Sequence, residues 1–445
     1  MELMVLFDGR HVATLYERGR QMTMVYTDEA GPLDAPLVSM AMPVGSRRYD
    51  NQHARAFFRG LLPEGEARRM LAYDFRLDES DDMGLLAVLG RDCAGALVIR
   101  PGDSASRPST NTVVPKAIDN SEVARRLREL PMHPLGVDQE IRVSLAGVQA
   151  KLLLTKLDSG HWGLPGDNVV STHILKLAHR DLLDSVTNEA FCINLAARAG
   201  ILAAHTTIAT FAGSAVLVSE RYDRRRVDGV LQRIHQEDAC QALSVLTVVP
   251  EHKYEEFGGP TLAKIAGLLD LWGDAQSKEE LLRQVAFHLV VGNADAHGKN
   301  VSFLHNNDGS VGLAPIYDVM STEYYAAAYA RPMSSTLGLF VNAKRNINDV
   351  TVEDLVAEAK RWGMRRMLAE QVIHQLLDRL PDAIEQAVND IPSVPEALVD
   401  LIRARLHKIR TQAVRSDQAI AEQITRSSVD ASEDERGTGR RRHHF

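Results

Sequence analysis

The stretch "VVGNADAHGKN", Val290 to Asn300, gathers an acid (Asp295), an imidazole (His297), an ammonium (Lys299) and two amides (Asn293, Asn300) around two glycines. Such a cluster is costly to hold together unless it meets charged cargo. A further carboxylate, Asp318, follows in "LAPIYDVMS", behind an apolar run "VSFL" and a turn at "NNDG". Upstream, Lys176 is the only charge inside "HILKLA". One carboxylate to accept a proton, a carboxylate with an amide for a hard divalent cation, and a lysine for phosphate oxygens are the parts of a phosphoryl-transfer site.

The spacing agrees with that chemistry. Protein kinases place the base five residues before a magnesium-binding Asn, as D-x-x-x-x-N, and follow it with a metal-binding Asp beyond a short strand pair. Asp295, Asn300 and Asp318 stand in that order, although Asn293-Ala294 replaces the usual His-Arg. Each residue also has a plainer reading. The loop is a polar helix end and turn, Asp318 a turn or N-cap residue, and Lys176 an edge-strand lysine. Glu189, on the helix after Lys176, is a candidate ion-pair partner for it. The small residues of "SLAGVQAK" let backbone N–H groups approach phosphate oxygens, yet the run matches neither G-x-G-x-x-G nor G-x-x-x-x-G-K-[ST]. "VSERYD" lies where two halves of the chain join, so Glu220, Arg221 and Tyr222 could meet a base through backbone groups. His235 and His297 read as ligands or acid–base groups, beside the commoner reading of lone histidines, His288 included, as hydrogen-bonded structural residues.

These residues need elements to position them. A chain of 445 residues exceeds one usual core, so two or three sub-structures are expected. Asp8-Gly9 signals a type I′ hairpin and Gly19 a second turn. Helical patterns follow in "HARAFFRGLLPEGEARRMLAYDF" and "DDMGLLAVLG", then a strand in "GALVIR". The division expected is an α+β unit over 1–101, a linker over 102–118, a strand-rich lobe over 119–235, a helical lobe over 236–415 and a disordered tail over 416–445. In the strand-rich lobe "VSLAGVQAKLLLTK" reads as strand, turn and strand, and "VTNEAFCINLAARAG" as a helix ending at Gly200. In the helical lobe "RIHQEDACQALS" reads as a turn and a core helix. Ser277 with Glu280, and Thr351 with Asp354, have capping-box spacing.

Composition sets limits. The net charge of -8 rules out a globally basic surface but not a local patch. Three scattered cysteines, Cys93, Cys192 and Cys240, argue against a disulfide framework and fit a reducing cytoplasm. Neither a membrane span nor a signal peptide is evident.

Taken together, the motifs resemble the HipA family of Ser/Thr protein kinases, the toxin halves of HipBA toxin–antitoxin pairs. The likeness runs through "MPVGSRRYDNQHARAFFRGLLPEGEARR", "LGRDCAGAL", "SLAGVQAKLLL", "HILKLA", "NEAFCINLAARAGI", "VSERYDR", "HQEDACQAL", "GNADAHGKN" and "LAPIYDVMS", in the family's order. The resemblance implies an α+β, two-lobed protein-kinase-like fold with an extra N-terminal α+β subdomain and an all-helical C-terminal lobe. It implies ATP and Mg2+ as cofactors. By position it makes Asp295 the base, Asn300 and Asp318 the magnesium ligands and Lys176 the lysine on the phosphates. Ala146, Gly147, Val148, Gln149, Ala150 and Lys151 become the phosphate loop. Glu220, Arg221, Tyr222, His297, Tyr317, Asp318, Val319 and Met320 become the nucleotide surround. Ser144 aligns with a serine that such kinases autophosphorylate, which ejects the phosphate loop.

Implied partners are a HipB-like helix-turn-helix antitoxin, operator DNA through that complex, and a protein substrate of the aminoacyl-tRNA synthetase class, typically glutamyl-tRNA synthetase. Lys360, Arg361, Arg365 and Arg366 in "KRWGMRRM" are candidate DNA-backbone contacts beside the reading of a solvated helix face. The sequence departs from the family at Val148 and Ala150, where Ala and Glu are usual, and at Ala294, where Thr is frequent. Two other readings share the motifs: a degenerate kinase acting as a DNA-bound corepressor, and a small-molecule or lipid kinase.

Overall fold

A computed structural model describes residues 1–31, 36–102, 115–136, 143–147, 149–166, 169–179, 181–274, 276–306, 308–329 and 333–412. Val148, most of the expected linker and the expected tail lie outside the described residues.

The chain opens with five antiparallel strands, β1 (Glu2–Phe7), β2 (Arg10–Arg18), β3 (Gln21–Tyr26), β4 (Arg48–Tyr49) and β5 (Leu97–Pro101), in the order β4-β3-β2-β1-β5. Asp8 and Gly9 both take positive φ, 47° and 78°, which is the type I′ geometry that lets a two-residue turn follow the strand twist. Strand β3 buries every second residue, so one sheet face is left to pack. Helices α1 (Asn51–Gly60), α2 (Gly65–Asp74) and α3 (Asp82–Leu89) complete this unit.

The second sheet has six antiparallel strands, β6 (Ala117–Ile118), β7 (Lys151–Lys156), β8 (Trp162–Gly163), β9 (His173–Leu177), β10 (Thr206–Phe211) and β11 (Ser214–Glu220), ordered β10-β11-β9-β7-β8-β6. Helices α4 (Asn120–Glu129) and α5 (Ser185–Arg198) accompany it. Strand β6 takes up the end of the expected linker. The first strand expected in "VSLAGVQAKLLLTK" is absent, because Ser144 donates its N–H to Asp92 in the N-terminal unit (3.0 Å) instead of to a neighbouring strand.

Leu152, Leu153, Leu154 and Leu175 of this sheet share one core with Leu3, Val5, Phe57 and Phe58. The N-terminal unit is therefore welded to the strand-rich lobe. Helix α5 belongs to the other core, where Phe191, Ile193 and Leu195 pack with the residues of the helical lobe. It spans both lobes.

The helical lobe follows a hairpin of β12 (Arg224–Val227) and β13 (Val230–Arg233). It contains α6 (Ala239–Ala242), α7 (Leu262–Trp272), α8 (Ser277–Val291), α9 (Glu323–Tyr329), α10 (Val352–Arg361) and α11 (Arg366–Asp390), with residues 396–412 also helical. Helices dominate it, but two small sheets sit among them. Strands β14 (Gln236–Asp238), β15 (Ser302–His305) and β16 (Val311–Leu313) form one, and β17 (Thr336–Val341) with β18 (Lys344–Asn346) the other. The polar start of "RIHQEDACQALS" is thus strand β14, and its helix is a single turn.

Thr351 and Asp354 form both halves of their capping box. Ser277 and Glu280 do not. Asp274 takes the N–H groups of Gln276 and Ser277 at 3.0 and 2.8 Å, and Glu280 pairs with Arg283. Among the described residues no helix is long and apolar enough to cross a membrane.

Candidate active site

Strand β9 presents Lys176 to two carboxylates at once. Its Nζ lies 2.7 Å from Glu189 Oε1 on α5 and 2.7 Å from Asp318 Oδ1, beyond β16. Burial works against the ammonium, but the two carboxylates outweigh it and raise its pKa. Lys176 in turn holds Asp318 far below the usual carboxylate range. Glu189 is pushed upward by its burial, with Lys176 pulling the other way and the neighbouring Asp318 charge adding to the rise. Asp318 adopts φ 55°, a left-handed conformation uncommon outside glycine, and such strain concentrates at functional sites.

A second lysine faces the first. Lys151 on β7 is the cross-strand partner of Lys176, so the two side chains share a sheet face. Burial and the neighbouring Lys176 lower the Lys151 pKa to about 8. Its Nζ donates to the Ala146 carbonyl at 2.7 Å and closes a small loop. Gly147, at φ 111°, turns that loop where a Cβ would lie 2.6 Å from Lys151 Nζ. Gln149 donates to the Leu177 carbonyl at 3.1 Å, and Ala150 is exposed. Two opposed cations beneath a small-residue loop are the surroundings a polyphosphate needs.

Helix α8 ends at Gly292, which supplies the left-handed C-terminal residue at φ 72°. The chain then turns to put Asp295 in the cleft. Its side chain is open to solvent on one side and enclosed on the others, and this enclosure raises its pKa. Tyr254 donates its hydroxyl to Asp295 Oδ1 at 2.8 Å. Asn300 donates its side-chain amide to the Asp295 carbonyl at 3.2 Å, which orients its oxygen away from that bond. Ala294 is buried, with its N–H on the Thr322 hydroxyl at 2.9 Å.

Magnesium and ATP fit these residues. Among the described residues there is no group of three or more His, Cys, Asp or Glu able to hold a metal alone. A carboxylate kept ionised by Lys176 and an amide on a neighbouring loop suit a cation that takes its remaining ligands from phosphates and water.

The other expected residues divide. Tyr222 and Tyr317 place their rings 5.6 Å apart, and Tyr317 donates to the Lys299 carbonyl at 2.7 Å. Val319 is buried and Met320 half-buried. The Glu220 carboxylate turns to His205 at 3.0 Å. The Arg221 guanidinium is buried against Asp223 and Ser171, at 2.7 and 2.8 Å, and donates to the Cys93 carbonyl, so that side chain is structural. His297 is buried and neutral, with a pKa lowered to about 3. Ser144 is fully buried and donates its hydroxyl to the Leu61 carbonyl at 2.7 Å. Of the candidate DNA contacts, Arg361 pairs with Glu358 (3.0 Å) and Arg366 with Glu353 and Glu370 (2.7 and 2.6 Å). Lys360 and Arg365 are exposed.

Further residues join the site from stretches whose role the sequence left unassigned. Asn188 exchanges two hydrogen bonds with the Ser321 backbone, 3.1 and 2.9 Å, and straps α5 to the segment bearing Asp318. Glu64 of the N-terminal unit pairs with buried Lys299 at 3.0 Å, and Asp238 lies 3.4 Å from the same ammonium. Asn188 opens the stretch "NEAFCINLAARAGI", which singled it out by position but gave it no role.

Comparison with known proteins gives the family and the fold. Residues 3–100 match the HipA N-terminal domain and residues 143–384 the HipA-like C-terminal domain. A Sinorhizobium fredii protein named "Putative kinase Y4mE" is 35% identical over 400 residues, covering 87% of this chain and 92% of that protein. The serine/threonine-protein kinase toxin HipA of Shewanella oneidensis is 29% identical over 387 residues, 83% of this chain and 85% of that one. The solved structure of HipA from the Shewanella oneidensis complex of HipA, HipB and operator DNA superposes with a TM-score of 0.77 at 25% identity, covering 93% of this chain and 97% of that chain. With both domains matched in order and a curated relative aligned along nearly its whole length, the chain belongs to the HipA family of kinase toxins.

Proposed function

We propose that the protein is a Mg-ATP-dependent serine/threonine protein kinase acting as the toxin of a toxin–antitoxin pair. The observation that carries this reading is the Lys176 ammonium, held at 2.7 Å from both Glu189 and Asp318 across the junction of the lobes. When bound, Mg-ATP supplies the transferable phosphoryl group and the cation that neutralises it.

The chain's own residues do the rest. Asp295 accepts the proton of the acceptor hydroxyl. Asn300 and Asp318 hold the metal, and Lys176 and Lys151 face the phosphates beneath the loop of Ala146 to Lys151. Tyr222, Tyr317 and Met320 flank the base. The side chains of Glu220 and Arg221 are engaged elsewhere, and the Arg221 N–H and carbonyl are taken by Thr172 and Arg224, so of this pair only the Glu220 carbonyl is proposed to meet the nucleotide.

Ser144 is the proposed autophosphorylation site. Its hydroxyl is buried against Leu61, so it must leave that pocket to react. The product, with roughly 1.5 to 2 added negative charges, could not return, and the phosphate loop next to it would stay displaced.

A HipB-like antitoxin and its operator DNA are the proposed partners, by analogy with the Shewanella oneidensis complex. Exposed Lys360 and Arg365 are the remaining candidates for DNA-backbone contacts. The proposed acceptor is a translation component, an aminoacyl-tRNA synthetase such as glutamyl-tRNA synthetase. Phosphoproteomics after induction tests this reading. Wild-type protein should yield one dominant new phosphoprotein and growth arrest, and Asp295→Asn neither. Arrest by the mutant, or arrest with no new phosphoprotein, would refute it.

A further inference from the structure

Asp295 has two oxygens, and only one is committed. Oδ1 accepts the Tyr254 hydroxyl at 2.8 Å. Among the described residues Oδ2 makes no hydrogen bond, and the side chain opens to the cleft. A carboxylate on a single bond to Cβ can rotate, so fixing one oxygen decides where the other points.

Tyr254 sits on a rigid platform. Its N–H donates to the Glu251 carbonyl at 2.9 Å, and its own carbonyl accepts from Phe257 and Gly259 at 3.1 and 3.0 Å. Gly259 admits no side chain, since a Cβ there would lie 2.6 Å from both the His252 and Tyr254 carbonyl oxygens. The tyrosine ring stands edge-on to buried His297 with centroids 5.0 Å apart, so the motif that carries Asp295 also backs the tyrosine.

Strand β17 joins the two sides. Gly338 donates its N–H to the Ala294 carbonyl at 2.8 Å, next to the base, and Phe340 donates to Glu255 Oε2 at 2.7 Å, next to the tyrosine. At Gly338 a Cβ would lie 2.7 Å from the Ala296 carbonyl oxygen, so the strand approaches as closely as the backbone allows. The hydroxyl and the carboxylate are thus referenced to a common strand.

We infer that Tyr254 is a positioning residue for the base: its hydroxyl pins Asp295 Oδ1 and so turns Oδ2 toward the acceptor hydroxyl. The inference rests on Asp295 being the base. The hydroxyl keeps its proton throughout and exchanges nothing with substrate.

The test is single-turnover phosphoryl transfer to the acceptor with the full chain. Tyr254→Phe keeps the ring against His297 and removes only the donor. Transfer should slow by about 10- to 100-fold, the usual worth of a hydrogen bond to a charged group, with the KM for ATP and the melting temperature unchanged. 4-Fluorophenylalanine at position 254 fills the hydroxyl's volume without donating and should slow transfer equally, which covers a Phe variant that packs poorly. In an Asp295→Asn background, adding Tyr254→Phe should slow nothing further. Wild-type transfer by both Tyr254 variants while Asp295→Asn is inactive would overturn the inference and leave the base standing. Equal slowing by Tyr254→Phe in the presence and absence of the Asp295 carboxylate would overturn it as well. An active Asp295→Asn protein would remove the base assignment, and this inference with it.

Discussion

Lys299, in the loop that carries Asp295, forms a buried ion pair with Glu64 of the N-terminal unit, Nζ to Oε1 3.0 Å. Three residues earlier in the same turn, the Leu61 carbonyl accepts the Ser144 hydroxyl at 2.7 Å. One short segment of the N-terminal unit therefore touches both the loop of the proposed base and the approach to the phosphate loop. Glu64→Gln leaves Lys299 with Asp238 as its remaining carboxylate. Removing one partner of a buried pair should cost about 3 kcal/mol, seen in urea unfolding, and should slow transfer without moving the chain's other contacts. An unchanged unfolding midpoint would mean that Asp238 alone satisfies the lysine.

Gly147 offers a cleaner test of the phosphate loop. At φ 111° an alanine is strained, and its Cβ would crowd Lys151 Nζ at 2.6 Å. Gly147→Ala should weaken ATP binding by about tenfold or more, a cost of ~1.4 kcal/mol, while the melting temperature stays near wild type because the loop carries little of the core. Isothermal titration against ATP with magnesium measures this. Undiminished affinity would place the phosphates elsewhere.

The pH dependence of stability follows from three buried histidines. Burial depresses His235 to about 3, where His305 adds to the effect, and depresses His288 to about 4. His297 is lowered to about 3 by burial and by Lys253. Unfolded histidine titrates near ~6.5. Above that value neither state binds the proton, so the stability is fully present. Below it the unfolded chain gains protons that the folded chain refuses, and stability falls until the folded values near 3 to 4 are reached. Three protons correspond to a slope of about 4 kcal/mol per pH unit in the steepest part. Denaturant unfolding at neutral pH and at about one unit below ~6.5 checks it, and equal stabilities would contradict the burial of these rings as neutral groups.

Local chemistry made part of this molecule readable from its sequence. The hairpin at Asp8-Gly9, the end of α8 at Gly292 and the box at Thr351 each depend on neighbours within a few residues, and each forms. Asp295, Asn300 and Asp318 stand out in the sequence because the loop and the following strand pair fix their spacing, and they remain the proposed site. The Glu189 partner of Lys176 was legible for a similar reason, as the helix directly follows the strand.

What escaped depended on a competing neighbour or on a distant partner. Ser277 and Glu280 have capping-box spacing, but Asp274 competes for the same N–H and wins. Val143 to Ala146 has strand-like residues, yet Ser144 finds its hydrogen-bond partners in the N-terminal unit and Ala146 in the Lys151 side chain. Glu64 stands at the start of α2 and Tyr254 between two short 3-10 turns, and only the packing of separate segments brings them to the loop of Asp295. The expectation of an all-helical lobe missed two small sheets because their strands are only three to six residues long, and β14 finds its partner β15 beyond three helices.

The most direct test of the account is transfer of the labelled γ-phosphoryl group from ATP to a protein acceptor, with ATP affinity measured alongside. Asp295→Asn should bind ATP as the wild type does and transfer at least about 100-fold more slowly, the usual worth of a general base. Asp318→Asn should lose the magnesium dependence of binding as well. Wild-type transfer by Asp295→Asn, or magnesium-dependent binding unchanged in Asp318→Asn, would contradict the proposed site.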